Sequence, residues 1–386
     1  MVGPRAVRPA DAEARPSKLF YLADWLPPDF GATGQYALIF ATDEAKAGRD
    51  VHLIGLTSGL PSVTSEDFSG GGRLTVQRLR AGEPDKTSNF RRLAWSVVMN
   101  ARLMRHALFA ERRGRPEIMF TGSPPFMAYF AVLAKFLIGA RLNYRITDFY
   151  PEVVAASLGR ASFLLSAAAR VTWLVRRRVD RFQVLGEDQR RLLLRGGISE
   201  DRIQLVRDRA PVDFPAGLTP RPLPPELGGR RALLYSGNYG VAHEVETVVA
   251  ALARHHRDGS DRVALWINGS GLNAARAADA LRAKGAPVAL TPPAPLADLA
   301  ALLISADAHL ITLRDDFVGL VVPSKVYACL DSGKPIIFVG PTDSDVHLLC
   351  SESPDLWYRQ VSPGDVEGLA RALEELADRT ESAWPS

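Results

Sequence analysis

From Lys18 onward, short apolar runs alternate with longer stretches in which apolar residues return every three or four positions. That alternation is the pattern of a parallel sheet covered by helices. Strands are predicted at Lys18–Ala23, Val51–Leu56, Leu74–Leu79, Ile118–Thr121, Leu142–Thr147, Phe182–Leu185 and Ile203–Val206. Helices fall between most of them, at Gln35–Ala47, Ser88–Arg113 and Pro125–Ile138. Pro211, Pro215, Pro220, Pro222, Pro224 and Pro225 then break all periodicity, which reads as a stiff linker. A second series follows: strand Ala232–Tyr235, helix Ala242–His255, strand Val263–Ile267, helix Leu272–Lys284, strand Val288–Leu290, helix Leu296–Ser305, strand Ala308–Leu313 and strand Pro335–Val339. The last helix, Asp365–Asp378, is a candidate to pack back on the first domain. The expected organisation is a frayed tail (1–17), a doubly wound α/β domain (18–209), the linker (210–229) and a second α/β domain (230–386). Ligands of such sheets bind at the carboxyl ends of the strands, so the expected site is a cleft between the domains.

The stretch from Arg314 to Gly340 carries the sharpest chemical signal. It predicts a strand end, a loop holding Gly319, a helix opened by Pro323 and stopped at Gly333, and another strand. Lys325 then falls in the first helical turn, where the macrodipole disfavours a cation. An anion bound there reverses that preference: free N–H groups from Gly319 onward, the Ser324 hydroxyl and the Lys325 ammonium are suited to a diphosphate. A lysine snorkelling into solvent is the plain alternative.

Two more glycine-marked loops follow predicted strands, SGNYG (Ser236, Gly237, Asn238, Tyr239, Gly240) and NGSG (Asn268, Gly269, Ser270, Gly271). Three such loops on one sheet edge let backbone approach a nucleotide, although each alone is an ordinary turn. His243, expected in the first turn of a helix, is held neutral by the dipole and is a candidate for phosphate or sugar contact, with a helix-start histidine that has no partner as the equal alternative. Asp148 and Glu152 in ITDFYPE leave a strand end and are candidates to orient sugar hydroxyls or handle an acceptor proton. Local capping by Asp148 and complementing a helix start by Glu152 are the alternatives. Asp343 and Asp345 resemble a metal-binding pair but read most simply as a helix cap, and no zinc spacing, serine elbow or ATPase-type phosphate loop is present.

The 386 residues are 47% apolar and 23% charged, with a net charge of +4, a globular and mildly basic composition. It does not call for nucleic acid. Cys329 and Cys350 form neither a disulfide framework nor a zinc set, which points to a reduced, cytoplasmic setting. The longest apolar runs are too short to span a bilayer, and the first residues lack a signal-peptide core. The segment Arg160–Arg181 mixes large apolar residues with Arg170, Arg176, Arg177, Arg178 and Arg181, as an interfacial helix on an anionic membrane does; a surface helix with a basic end is the simpler reading.

SGNYGVAHEVET, NGSG, GLVVPSKVYACLDSGKPIIFVGP, TGSPPFMAYF, YRITDFYPEVVA, VDRFQVLGEDQ and LVRDRAPVD together resemble the GT-B glycosyltransferases of family four. The nearest subset builds bacterial surface polysaccharides and O-antigens and includes aminosugar transferases. The likeness runs from Lys18 to near the end of the chain. It implies two facing Rossmann-like domains, a donor nucleotide on the second, a saccharide or polyprenyl-diphosphate-linked acceptor on the first, retention of configuration and no required metal or cofactor. The donor is expected to be a UDP-sugar, with GDP-sugars as the other possibility. Carried over by residue, the diphosphate meets Gly319, Leu320, Ser324 and Lys325 near Gly237–Gly240. The loop holding Gly31, Thr33 and Gly34 closes over phosphate or sugar, and the base lies near Asn268–Gly271 and the TPPAP loop from Thr291. The family's paired glutamates are replaced by Leu320 and Ala328. That departure supports an inactive sugar-binding module as a rival reading, and a non-hydrolysing nucleotide-sugar epimerase, which has the same two-domain architecture, is the other.

Overall fold

The computed structural model describes residues 18–29, 31–82, 89–109, 116–159 and 163–379. The expected tail, Phe30 and Arg160 lie outside these residues. The chain divides into two compact units, one formed by residues up to Arg145 with Arg178–Arg181, the other by Ile146–Arg177 with Phe182 onward.

The first unit is built from β1 (Leu19–Trp25), α1 (Ala32–Lys46), β2 (Asp50–Thr57), β3 (Ser62–Asp67), β4 (Arg73–Arg80), α2 (Asn89–Phe109), β5 (Glu117–Thr121), α3 (Met127–Ile138) and β6 (Arg141–Ile146). Its strands lie in the order β3-β4-β2-β1-β5-β6. All neighbours run parallel except β3, which pairs antiparallel with β4. The apolar runs that predicted β1, β2 and β5 are buried, as strands covered on both faces must be. β3 was not expected. Its sequence, SVTSED, is polar and mostly exposed because the strand lies on the sheet edge.

The second unit opens with α4 (Glu152–Leu158), α5 (Phe163–Arg176), β7 (Arg181–Val184), α6 (Glu187–Arg195) and β8 (Ile203–Leu205), with β7 and β8 parallel. After the proline-rich stretch come β9 (Arg231–Asn238), α7 (Glu246–Asp258), β10 (Val263–Ser270), α8 (Leu272–Ala283), β11 (Val288–Thr291), α9 (Leu296–Ser305), β12 (Ala308–Thr312), α10 (Lys325–Asp331), β13 (Ile336–Val339), α11 (Asp345–Ser351), β14 (Tyr358–Val361) and α12 (Val366–Asp378). The strands form a parallel sheet ordered β11-β10-β9-β12-β13-β14. The proline-rich stretch contributes Ala210 and Leu227 to an apolar cluster under this sheet. α12 buries Leu369, Leu373 and Leu376 in the same core as Val248 and Leu252 of α7, so its apolar face is used within this unit.

β9 and β10 run three residues further than the apolar pattern suggested. Ser236–Asn238 and Asn268–Ser270 pair residue by residue as strand rather than loop. α7 begins at Glu246, four residues later than expected, because Gly240–Val245 forms a turn capped by Glu244, whose carboxylate accepts from the Thr247 N–H and hydroxyl.

Candidate functional site

The carboxyl ends of β9, β10 and β12 bring together most of the donor-site candidates of the second unit. Gly237 has a left-handed φ of 121°, and a Cβ there would meet the Lys325 side chain at 3.8 Å. Gly269 lies opposite in register, where a Cβ would come within 1.9 Å of the Gly237 carbonyl oxygen. Gly269 is needed by the close approach of two backbones and Gly237 by its left-handed φ, which leaves the strand ends bare of side chains.

Lys325 does not snorkel into solvent. Its ammonium lies 3.1 Å from the centroid of the Tyr235 ring, is buried, and has no hydrogen-bond partner. Burial holds its pKa well below the ordinary lysine value. Tyr235 stacks on Tyr239 at 3.9 Å, and His243 meets both rings edge-on. Tyr239 is fully buried and its hydroxyl donates to the Glu244 carbonyl, so its side chain belongs to the core and not to the ligand surface. His243 is neutral, as expected, but for a different reason. It precedes the helix, its Nδ1 donates to the Thr312 carbonyl at 2.8 Å, and burial followed by the nearby Lys325 pushes its pKa down to about 3.

The Gly319 loop departs from expectation in its hydrogen bonds. Gly319 does have a left-handed φ of 72°, but its N–H donates to the Asp188 carboxylate at 3.3 Å. The Leu320 and Val321 N–H groups both donate to the Phe317 carbonyl. These three donors are therefore engaged within the fold rather than aimed at a diphosphate. Ser324 stands just before α10, a helix of only seven residues.

The two stretches singled out in sequence meet at this loop. Asp148 forms an antiparallel bridge with Val321, and the Phe149 N–H donates to the Leu320 carbonyl at 2.9 Å. Burial pushes the Asp148 carboxyl up to about 6. Glu152 has a different fate. Both its oxygens accept from the Arg176 guanidinium, at 2.5 and 2.9 Å, which removes it from the candidates for proton handling. Arg176 is fully buried, donates also to the Tyr150 carbonyl and lies over the Phe149 and Trp173 rings. It is one of the arginines of the expected membrane segment, and Arg177 donates to the Gly196 carbonyl, so part of that basic end is committed to the fold.

Asn268 is likewise committed. Its amide nitrogen donates to the Thr291 hydroxyl and the Pro292 carbonyl, and its oxygen accepts from Ala294, so it fixes the TPPAP loop. Ser270 is exposed, and Gly271, with φ of 106°, leaves no room for a Cβ beside the Asn238 side chain and Tyr239 backbone. In the first unit, Gly31 precedes α1 in extended backbone and Thr33 follows in its first turn. Gly34 is buried where a Cβ would lie 1.7 Å from the Trp25 carbonyl oxygen; packing alone requires it.

Sequence reading missed the support beneath the Gly319 loop. Ser344, not an aspartate, caps α11. Asp345 is buried and accepts from the Glu187 N–H and from Arg207 at 2.8 and 3.0 Å. Asp188 accepts from the Gln189, Gly319 and Asp345 N–H groups, while burial raises its carboxyl to about 6. The LGEDQ stretch was the available signal, but nothing in its spacing reveals partners more than a hundred positions away.

No protein-family model matches the chain. It is 24% identical over 382 residues to the probable glycosyltransferase WbjE of Pseudomonas aeruginosa, covering 94% of this chain and 90% of that one. Among solved structures it is similar to Anabaena Alr3699/HepE in complex with UDP and glucose, with a TM-score of 0.61, 12% identity and coverage of 95% and 91%. It is also similar to a UDP-N-acetylglucosamine 2-epimerase, with a TM-score of 0.54, 12% identity and coverage of 94% and 88%. The architecture is the GT-B α/β fold shared by glycosyltransferases and epimerases.

Proposed function

We propose that the protein is a glycosyltransferase that moves a sugar from a nucleotide-diphosphate donor, a UDP-sugar, to a saccharide or polyprenyl-diphosphate-linked acceptor in surface-polysaccharide synthesis. The observation that carries this reading is the buried Lys325 ammonium, unpaired beside the bare end of β9. A buried cation without a counter-charge is costly, and an anion arriving at Gly237 removes that cost. The whole-length similarity to a protein named as a glycosyltransferase favours transfer over epimerisation, which the fold alone does not.

In this reading Lys325 turns from the Tyr235 ring to the diphosphate and stabilises the charge that grows there as the bond from the anomeric carbon to the phosphate oxygen breaks. The acceptor oxygen forms the new bond to that carbon. Asp148, beside the same loop, takes the acceptor's proton. The family resemblance adds independence of metal and retention of configuration, which requires the acceptor oxygen to attack from the face that the diphosphate leaves.

Titration calorimetry with UDP, GDP, ADP and CMP tests the donor assignment. UDP is expected to bind selectively. Because burial lowers the Lys325 pKa and a bound anion raises it again, binding is expected to take up protons, seen as a dependence of the binding enthalpy on the buffer's ionisation enthalpy. No binding of any nucleotide sinks the proposal. Conversion of a UDP-sugar to its epimer without an acceptor favours the epimerase.

The pH profile tests Asp148. Its folded-state carboxyl is raised to about 6, so the basic form is lost as pH falls through that value. kcat/KM is expected to drop about tenfold for each pH unit below 6 and to level above it. Asp188 titrates in the same range, and the Asp148→Asn variant separates the two. Survival of the same acidic limb in that variant excludes Asp148 as the base.

A further inference from the structure

On the first unit a cavity of about 480 Å³ opens where the end of α2 meets β2 and β4, lined by His52, Gln77, Arg105, His106 and Phe109. His52 is the third residue of β2, and α2 ends at Phe109 before the chain returns to the start of β5. The cavity therefore lies away from the carboxyl ends of the strands, where ligands of such sheets are expected. Its polar side chains form a relay. His52 Nε2 donates to Gln77 Oε1 at 3.1 Å, and Gln77 Nε2 donates to His106 Nδ1 at 3.1 Å. An amide has one donor end and one acceptor end, so this arrangement fixes the His106 proton on Nε2. Among the described residues neither that N–H nor the exposed Arg105 guanidinium has a partner. No acid is among the described lining residues. Asp50, which acts on His52, is paired with Lys18 at 3.6 Å. Burial and then Lys18 push the His52 imidazole down to about 4, and burial, then Arg105 and Arg102, lower that of His106. Both rings are held toward the neutral form by desolvation and by positive charge, and an anion beside Arg105 reverses the second cause.

We infer that this cavity binds a small phosphorylated molecule, its phosphoryl oxygens accepting from the Arg105 guanidinium and the His106 Nε2–H and its ring covering Phe109. Phe109 is 80% exposed at the rim, which gives a ligand ring an apolar face beside the cation. A phosphoryl group suits the donors better than a carboxylate does, because the guanidinium fork and the imidazole together offer more N–H groups than two oxygens in one plane can meet. The site is separate from Lys325 and does not depend on the glycosyltransferase reading.

Imidazole NMR with phenyl phosphate at constant ionic strength tests it, the His106 signals being assigned by their loss in His106→Gln. Those signals are expected to move with saturation, and the His106 pKa to rise, because a bound anion favours the imidazolium. Arg105→Gln is expected to weaken binding about 30-fold, the loss of one charge-assisted contact. Phe109→Ala is expected to weaken binding of phenyl phosphate and to leave that of inorganic phosphate unchanged. Both side chains are exposed, so circular dichroism is expected to match the parent protein. Signals of His52 and His106 that stay fixed at millimolar phenyl phosphate overturn the proposal, as does unchanged binding in Arg105→Gln. An equal response to chloride is charge screening alone, and an equal response to benzoate makes the site one for carboxylates; either overturns it. A response lost in Lys325→Met overturns it too, because the ligand is then on the second unit.

Discussion

Lys325→Met is expected to lower kcat/KM about a hundredfold, the loss typical of one preorganised electrostatic donor. Methionine keeps an unbranched apolar stem over the Tyr235 ring and removes only the charge. The fold is therefore expected to hold or gain stability, since the amine it replaces is buried without a partner. That combination separates a ligand-directed lysine from a structural one. Melting temperature is read together with the rate of UDP release from the sugar donor. Full turnover in the variant, or a melting temperature that falls along with the rate, rejects Lys325 as the diphosphate contact.

Glu152→Ala is expected to cost about 3 kcal/mol of folding stability. The Arg176 side chain is fully inaccessible, whereas that of Glu152 retains 16% exposure. Removing the carboxylate strands a buried cation with only the Tyr150 carbonyl and two ring faces. Arg176→Met is expected to cost less, because the glutamate left behind reaches water. Urea unfolding of both variants gives the order. Equal losses, or a loss under 1 kcal/mol for Glu152→Ala, contradict the account, and a Glu152→Ala enzyme that is stable but inactive returns Glu152 to the chemistry.

Both predictions concern residues whose importance was read differently in sequence. Lys325 was conspicuous because a lysine beside a proline-opened helix is electrostatically misplaced, and the structure gives that oddity a location. Its neighbours were harder to read. Tyr235 looked like the end of an ordinary buried strand, and only packing places its ring under the ammonium. Arg176 looked like part of a solvated basic run; helical periodicity does not show which of several consecutive arginines turns inward. Glu152 looked free because its partner lies 24 positions away.

What the sequence determined by itself is the alternating β/α order, the position of most buried strands and the glycines of the strand ends. Those follow from local rules: side-chain periodicity, the need for apolar runs in parallel sheets, and backbone conformations that only glycine adopts. Tertiary structure decided which polar groups remain available for chemistry. The Gly319 N–H, the Glu152 carboxylate and the Asn268 amide all carry suitable donors or acceptors, and each is consumed by a partner from a distant segment. The Lys325 ammonium and the Asp148 carboxyl are set apart by desolvation, a property of the volume around a group that its neighbours in sequence do not fix.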